Sequence, residues 1–485
     1  MVPGKSEAPQ DDVAERPPLV MFDQTLYDLF ALDGGNPDEV AMMLALVPPI
    51  SPVSSALPES LKYTFQSPAR PNLDKDLFAR ICLANAAQNH AVSMGPMRLI
   101  LFDVDPPEYD VVNGLVESPP GPRTDATRVF DAIVPSQRPK LSFVSDAATW
   151  QPEPGVKISP YPPQDFLDKH STILSQESHY NLLSKRGLAL SGLPTPKTEV
   201  IDGILEPADV LDDAKVETET QRILQEIRSK PFPFVIKFPL SAAGQGVFVV
   251  RDAAGLAAAE RNGRFAAEIP KMIRALRPDN AHLSPVSLCI QDMVEGETRN
   301  LSIFVTKAGR AVFLSCCEQF LDENGIWRAS ILDYARQAEF EPQYRPTLEK
   351  IAAYVHGHGF YGPMGGDIMT DAQGNQYIVD LNTRVTGDVF MGPLRGHFYE
   401  RRGMRYSYII SPVVTLGNRD RFEKIFWPEL IEGRMIIIGW VRGRGGLFGK
   451  HEYSVGSVMI GAKDKTELFE LVERVNAVGY TTAPN

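Results

Sequence analysis

One stretch, Tyr361–Asp388 (YGPMGGDIMTDAQGNQYIVDLNTRVTGD), limits what this chain can fold into more than any other. Asp371–Gln376 holds the turn formers Asp, Gly and Asn, and Tyr377–Leu381 beyond it is short, β-branched and aromatic. The stretch therefore reads as two antiparallel strands around a tight polar loop. Pairing Thr370 with Tyr377 sets Asp367 opposite Asp380, because each step back on one strand is a step forward on the other. Opposed residues share a face about 5 Å apart, and residues two apart on one strand share it too. Asp367, Asp380 and Asn382 then converge, with Arg384 next in line. Two carboxylates and a carboxamide are hard oxygen donors, a set that suits Mg²⁺ carried in with nucleotide phosphates. Arg384 adds a permanent cation for a phosphate or a carboxylate. The same residues also describe an ordinary hairpin with a solvated acidic face. Against that, Asp380 follows the apolar run Tyr-Ile-Val, where a buried charge needs a partner.

The rest of the sequence bounds the setting. A chain of 485 residues is long enough for about three domains, each with its own core. The net charge of -12 argues against a general nucleic-acid binder, which needs clustered Lys and Arg. Cys82, Cys289, Cys316 and Cys317 show no metal-binding spacing, so the thiols read as reduced and the protein as cytoplasmic. No run approaches the eighteen or so apolar residues of a membrane span. The start, MVPGKSEAPQDDVAERPP, is acidic and proline-rich without an apolar signal core, and reads as a disordered tail.

In chain order, residues 1–95 read as an N-terminal extension: a loose tail, an apolar run with helical spacing over Leu19–Leu46, a Pro/Ser-rich break, and a helix over Asp74–His90. An oligomer contact or part of the next lobe are the alternatives. Residues 96–170, with strand-like Met97–Asp103 and Lys140–Ser145, suggest a small Rossmann-like α/β lobe. A helical stretch then ends at Lys185. The strand Phe234–Phe238 carries Lys237, with its opposite face in a core, and runs into Ser241–Val247 (SAAGQGV). There Ser241, Gly244 and Gly246 let backbone N–H groups approach a phosphate closely. Alone, this is equally a surface lysine before a flexible turn. It is not a Walker loop, since the lysine precedes the glycines. Val286–Val294 is a strand running into a short linker whose free backbone groups can read an adenine edge, where Glu297 or Thr298 could hold a ribose hydroxyl. A helix over Tyr344–His356 leads to the organising hairpin, and His356 and His358 read as a helix terminus rather than a metal pair. Gly443–Gly449 (GRGGLFG) lies between two strand-like runs, not at a strand-to-helix turn, so it is a hairpin loop and not a dinucleotide fingerprint. Arg442 and Arg444 there are either substrate contacts or a solvated tip. Residues 401–485 close as a C-terminal lobe.

In combination, Lys185, Lys237 with Ser241–Val247, the Gln291–Val294 hinge and the string Asp367…Asp380-Leu-Asn382-Thr-Arg384 resemble the ATP-grasp superfamily. The likeness is greatest to the branch of biotin carboxylase and carbamoyl-phosphate synthetase, with the amino-acid ligases on the same plan, and the layout is similar to fungal ATP-grasp proteins. It covers residues 171–400 as the ATP-grasp domain, with a lid at about 190–290. The resemblance implies an α/β and α+β fold, and a ligase that uses ATP to turn a small-molecule carboxylate into an acyl phosphate for an amine to attack. Lys185 and Lys237 would contact ATP, and Gln291, Asp292, Val294 and Glu297 the adenosine. Asp367, Asp380 and Asn382 would hold one or two Mg²⁺ ions, and Arg384 and Lys237 would act in catalysis. Family habit implies a homodimer. A carboxylase or acid–thiol ligase, or a nucleotide-binding regulator without turnover, are the alternatives. Two aspartates stand where glutamates are common, which shortens the reach to the metal, and Gly-Glu-Thr replaces Gly-x-Glu, which unsettles the ribose contact.

Overall fold

The computed structural model describes residues 16–44, 60–66, 75–102, 125–144, 150–241, 244, 246–261, 265–321, 327–444 and 451–478. Three sheets organise them. The first is parallel and runs β3-β2-β1-β4, with β1 at Val40–Leu44, β2 at Arg98–Phe102, β3 at Lys140–Val144 and β4 at Lys157–Tyr161. The second is antiparallel, β5-β8-β6-β7, with β5 at Thr198–Asp202, β6 at Phe234–Lys237, β7 at Val247–Val250 and β8 at Ser287–Asp292. The third joins β9 (Glu297–Val305), β10 (Ala311–Leu321), β11 (Trp327–Asp333), β12 (Gly362–Thr370), β13 (Gln376–Asn382), β14 (Tyr406–Leu416), β15 (Met435–Arg444) and β16 (Glu452–Ala462). Its order is β13-β12-β9-β10-β11-β14-β16-β15, antiparallel throughout.

Two boundaries drawn from the sequence change. Residues 1–95 are not an extension, because β1 is an inner strand of the first sheet, paired on both sides. All five residues of VAMML are buried, and a short strand buried on both faces has no alternation to separate it from a helix. Nor do residues 401–485 stand apart: β14, β16 and β15 continue the large sheet. The helix Lys75–Ala91 fastens the two ends of the chain together. Asn85 Nδ2 donates to the Val455 carbonyl at 3.1 Å and Gln88 Oε1 accepts from Trp440 N at 2.8 Å.

The helices follow their apolar spacing. Asp213–Arg228 is capped by Asp212, whose side chain accepts from Ala214 N and Lys215 N, and it buries Val216, Thr220, Ile223, Leu224 and Ile227 along one stripe. That stripe meets Ile236 and Ile290 in the core of the second sheet. Gln337–Gly357 lays Leu348, Ile351 and Val355 on Leu301 and Ile303 of β9. It begins seven residues before the expected Tyr344, because Pro342 and Pro346 inside it disguise the start. Among the described residues no helix is long and apolar enough to cross a membrane.

Residues 60–66 strap the first lobe to the second sheet. Asp165 accepts from Leu61 N at 2.8 Å and Lys62 N at 2.9 Å. At the far end Gln66 N donates to Leu240 O at 2.7 Å, and Gln66 Oε1 accepts from Leu240 N at 2.9 Å. Leu240 adjoins the Ser241–Val247 loop, so the strap holds that loop's root. Gln66→Ala leaves a buried N–H without its acceptor, and thermal unfolding is expected to show a loss of about 1–3 kcal/mol. An unchanged melting temperature would mean the strap bears no load.

Candidate active site

The acids of the organising hairpin face each other. Asp367 and Asp380 are Cα partners on β12 and β13. The route there differs from the one the sequence suggests. Thr370 pairs with Gln376, one residue tighter than expected, and the register shifts between Ile368 and Asp367. Ile368 pairs with Ile378 and Asp367 with Asp380, so Val379 is the extra residue of a β-bulge, the device that re-aims groups beside a strand. Its carbonyl accepts from Lys237 Nζ at 2.7 Å.

Around this bulge the two lysines meet the acids. Lys185 Nζ pairs with Asp380 Oδ1. Contrary to the sequence reading, Lys185 does not end a helix. It is the first residue of Lys185–Ala189, because Ser184 interrupts the preceding helix and caps the new one, accepting from Gly187 N at 2.8 Å. Lys185 N donates to Pro239 O at 2.8 Å, two residues beyond Lys237. Lys237 ends β6 and is buried; burial pushes its ammonium down to about 8, with Asp380 acting against that shift. Gly244 has φ +77°, and a Cβ on Gly246 would lie 2.4 Å from Ser241 Oγ. Only glycine fits the second position, and the first favours it. Ala242, Ala243 and Gln245 lie outside the described residues.

Desolvation, then the charge of Asp380, pushes the Asp367 carboxyl above its usual range. Asn300 Nδ2 and Gln319 Nε2 donate to its Oδ1 at 2.8 Å and 2.9 Å. Neither carboxamide was singled out from the sequence, although Asn300 and Ser302 alternate as polar residues inside an apolar strand. Asn382 Oδ1 accepts from Arg384 Nη2 at 2.9 Å, and Arg384 Nη1 donates to Val385 O at 3.1 Å. Among the described residues no carboxylate pairs with Arg384, so its charge is available to an anion.

The donor set fits a divalent cation. Two carboxylates face each other across a ladder, offset only in part by Lys185 on Asp380 and by the amide donors on Asp367, Asn382 adds a carboxamide, and among the described residues the buried Asn300 Oδ1 has no partner. Among the described residues no group of three or more His, Cys, Asp or Glu forms a metal cluster, so any ion here would take its ligands from this mixed oxygen set.

The remaining candidates have partners of their own, and Arg442 lies on β15, at the opposite edge of the third sheet from β13. Gln291 is buried in β8 with its Nε2 donating to Thr198 Oγ1 at 3.0 Å, and Asp292 N donates to Lys197 O at 2.8 Å. The chain then passes through Val294 to the third sheet. Glu297 opens β9 and pairs with the buried Arg299, so a ribose would compete with that guanidinium for it. Arg442 Nη1 lies 3.6 Å from Glu452, and the Arg444 side chain with residues 445–450 lies outside the described residues. His356 Nε2 lies 3.1 Å from Lys307 O at the end of its helix.

Three buried imidazoles set an acid limit on the fold. Burial lowers His90 to about 3 and His179 and His397 to about 4. The unfolded chain protonates them near 6.5, so the unfolded state binds more protons below that pH and stability falls as pH falls from 6.5 toward 4, by about 1 kcal/mol per unit for each imidazole. His397 Nε2 lies 2.9 Å from the Gly433 carbonyl, remote from the acids. Melting temperatures should drop steeply below pH 6.5, and His397→Gln should flatten that slope; equal slopes would show that His397 is not held neutral.

Residues 205–388 match the ATP-grasp domain family. That span takes in β6, β7 and β8 of the second sheet and β9 to β13 of the third. The [butirosin acyl-carrier protein]–L-glutamate ligase of Niallia circulans is 23% identical over 189 residues, 38% of this chain and 40% of that protein. The chain thus matches about two fifths of the length of this curated relative. Among solved structures, phosphoribosylamine–glycine ligase from Thermotoga maritima is 13% identical with a TM-score of 0.47, covering 90% of this chain and 96% of that one. The ADP complex of N5-carboxyaminoimidazole ribonucleotide synthetase is 11% identical with a TM-score of 0.47, covering 81% and 94%.

Proposed function

We propose that the protein is an ATP-dependent carboxylate–amine ligase that releases ADP and phosphate. The observation that carries this reading is the convergence of Lys185 and Lys237 on a hairpin with opposed Asp367 and Asp380 and an Arg384 that, among the described residues, has no carboxylate partner. The Niallia circulans relative is named as a ligase of an acyl-carrier protein and L-glutamate, which supports ligation as the class of reaction.

In this reading Lys185 and Lys237 bind ATP phosphates under the Ser241–Val247 loop, and backbone groups at Gln291–Val294 take the adenine. Asp367, Asp380 and Asn382 would hold Mg²⁺, which neutralises phosphate charge when bound. Arg384 orients the substrate carboxylate. A carboxylate oxygen attacks the γ-phosphorus as its bond to ADP breaks, and the amine then attacks the acyl carbon and expels phosphate. Positioning and charge neutralisation suffice, with no protein nucleophile.

Hydroxylamine, a small general amine, gives the test. With MgATP and pooled small carboxylates, including the amino acids, the protein should form hydroxamates in step with ADP. ADP release that depends on bicarbonate and gives no hydroxamate would replace the ligase with a carboxylase.

A further inference from the structure

Arg384 is held from a direction the ATP-grasp domain does not supply. Its guanidinium lies over the ring of Tyr161, 4.6 Å from the centroid. Tyr161 is the last residue of β4, in the first lobe, and it is buried. Against it lies His90, in the last turn of Lys75–Ala91, with ring centroids 5.3 Å apart and planes tilted 35°. A third support reaches the backbone, where His179 Nε2 lies 2.8 Å from the carbonyl of Thr383, the residue before Arg384. None of the three carries a negative charge at neutral pH, so they fix the guanidinium without neutralising it. An aspartate in the same place would hold Arg384 as firmly and cancel the charge that an anion needs.

The geometry points to Tyr161, backed by His90, as the positioning residue for Arg384. The first lobe thus sets where the substrate anion is bound, and this assignment rests on the ligase reading only for the identity of that anion. An arginine side chain has several rotatable bonds and loses much freedom when fixed. A partly buried cation–π contact to tyrosine removes part of that freedom in advance and is of a size to change occupancy of the fixed rotamer by up to about tenfold. The tyrosine hydroxyl has no part in this argument; the ring does, so phenylalanine should substitute.

The test reads Arg384 directly and needs no turnover. Phenylglyoxal labelling of the full chain, followed by peptide mass spectrometry, gives the rate at Arg384 relative to Arg345, which is held independently by the Ala311 carbonyl and Glu341. Taking the ratio within one digest removes any general loosening of a variant. In Tyr161→Leu the ratio should rise about tenfold, while Tyr161→Phe should stay at the wild-type ratio. An unchanged ratio in Tyr161→Leu, or an equal rise in both variants, overturns the assignment. A protein that shows the expected ratios but forms no hydroxamate would retain the positioning role and lose the ligase reading. With turnover present, Tyr161→Leu should raise KM for the acid and leave KM for ATP at the wild-type value.

Discussion

Asp380→Asn is expected to lower ATP turnover on the order of a thousandfold, a loss typical of removing a charged group that stabilises a transferring phosphoryl. Asp380 stands at the crossing of the site: it opposes Asp367 on the ladder, pairs with Lys185 and leads to Asn382. The amide keeps the shape and gives up the charge. Two consequences separate this from simple unfolding. The buried Lys185 loses its ion-pair partner, so a moderate fall in melting temperature is expected. Asp367, relieved of a like charge, should also ionise at lower pH than it does beside Asp380. Turnover within tenfold of wild type in a folded Asp380→Asn protein would remove Asp380 from the site.

Lys237→Met should have the opposite balance, weakening nucleotide binding about 10–100-fold while leaving the fold as stable as before or more so. The lysine is buried, and burial takes its ammonium from 10.5 down to about 8. Between those values the unfolded chain holds the proton and the native chain does not, so native stability rises from pH 8 to 10.5. Below pH 8 both states are charged, and the native state carries the full penalty, about 3 kcal/mol. Methionine removes that penalty and leaves the Val379 carbonyl without its donor, which costs about 1–3 kcal/mol in return. The melting temperature at pH 7 should therefore equal or exceed that of wild type, with the advantage shrinking toward pH 10. A large destabilisation at pH 7 would show that Lys237 is there to hold the bulge and not to wait for a phosphate.

The hairpin was readable because its information is local. Turn residues, strand composition and two acids at matched distances from the turn suffice to oppose Asp367 and Asp380. Even so, the pairing came out through two compensating differences, a tighter turn and a bulge at Val379, and a bulge has no residue signature of its own. Lys237 on a strand before a glycine loop was likewise local. What stayed hidden depends on contacts between distant residues. Asn300 and Gln319 are 67 and 48 positions from Asp367, and nothing near them in sequence says that they hold a carboxylate. Nothing near Tyr161 in sequence marks its partnership with Arg384, which joins β4 of the first sheet to the segment after β13. Val40–Leu44 was missed for a different reason: a strand buried on both faces loses the alternation by which strands are recognised.

The central claim is that a carboxylate attacks the γ-phosphorus of ATP in this site, and ³¹P NMR of the reaction with MgATP and the carboxylate and amine pools tests it most directly. The account predicts resonances of ADP and inorganic phosphate growing together, and neither growing with Asp380→Asn. AMP and pyrophosphate in their place would contradict it, because attack would then be at the α-phosphorus.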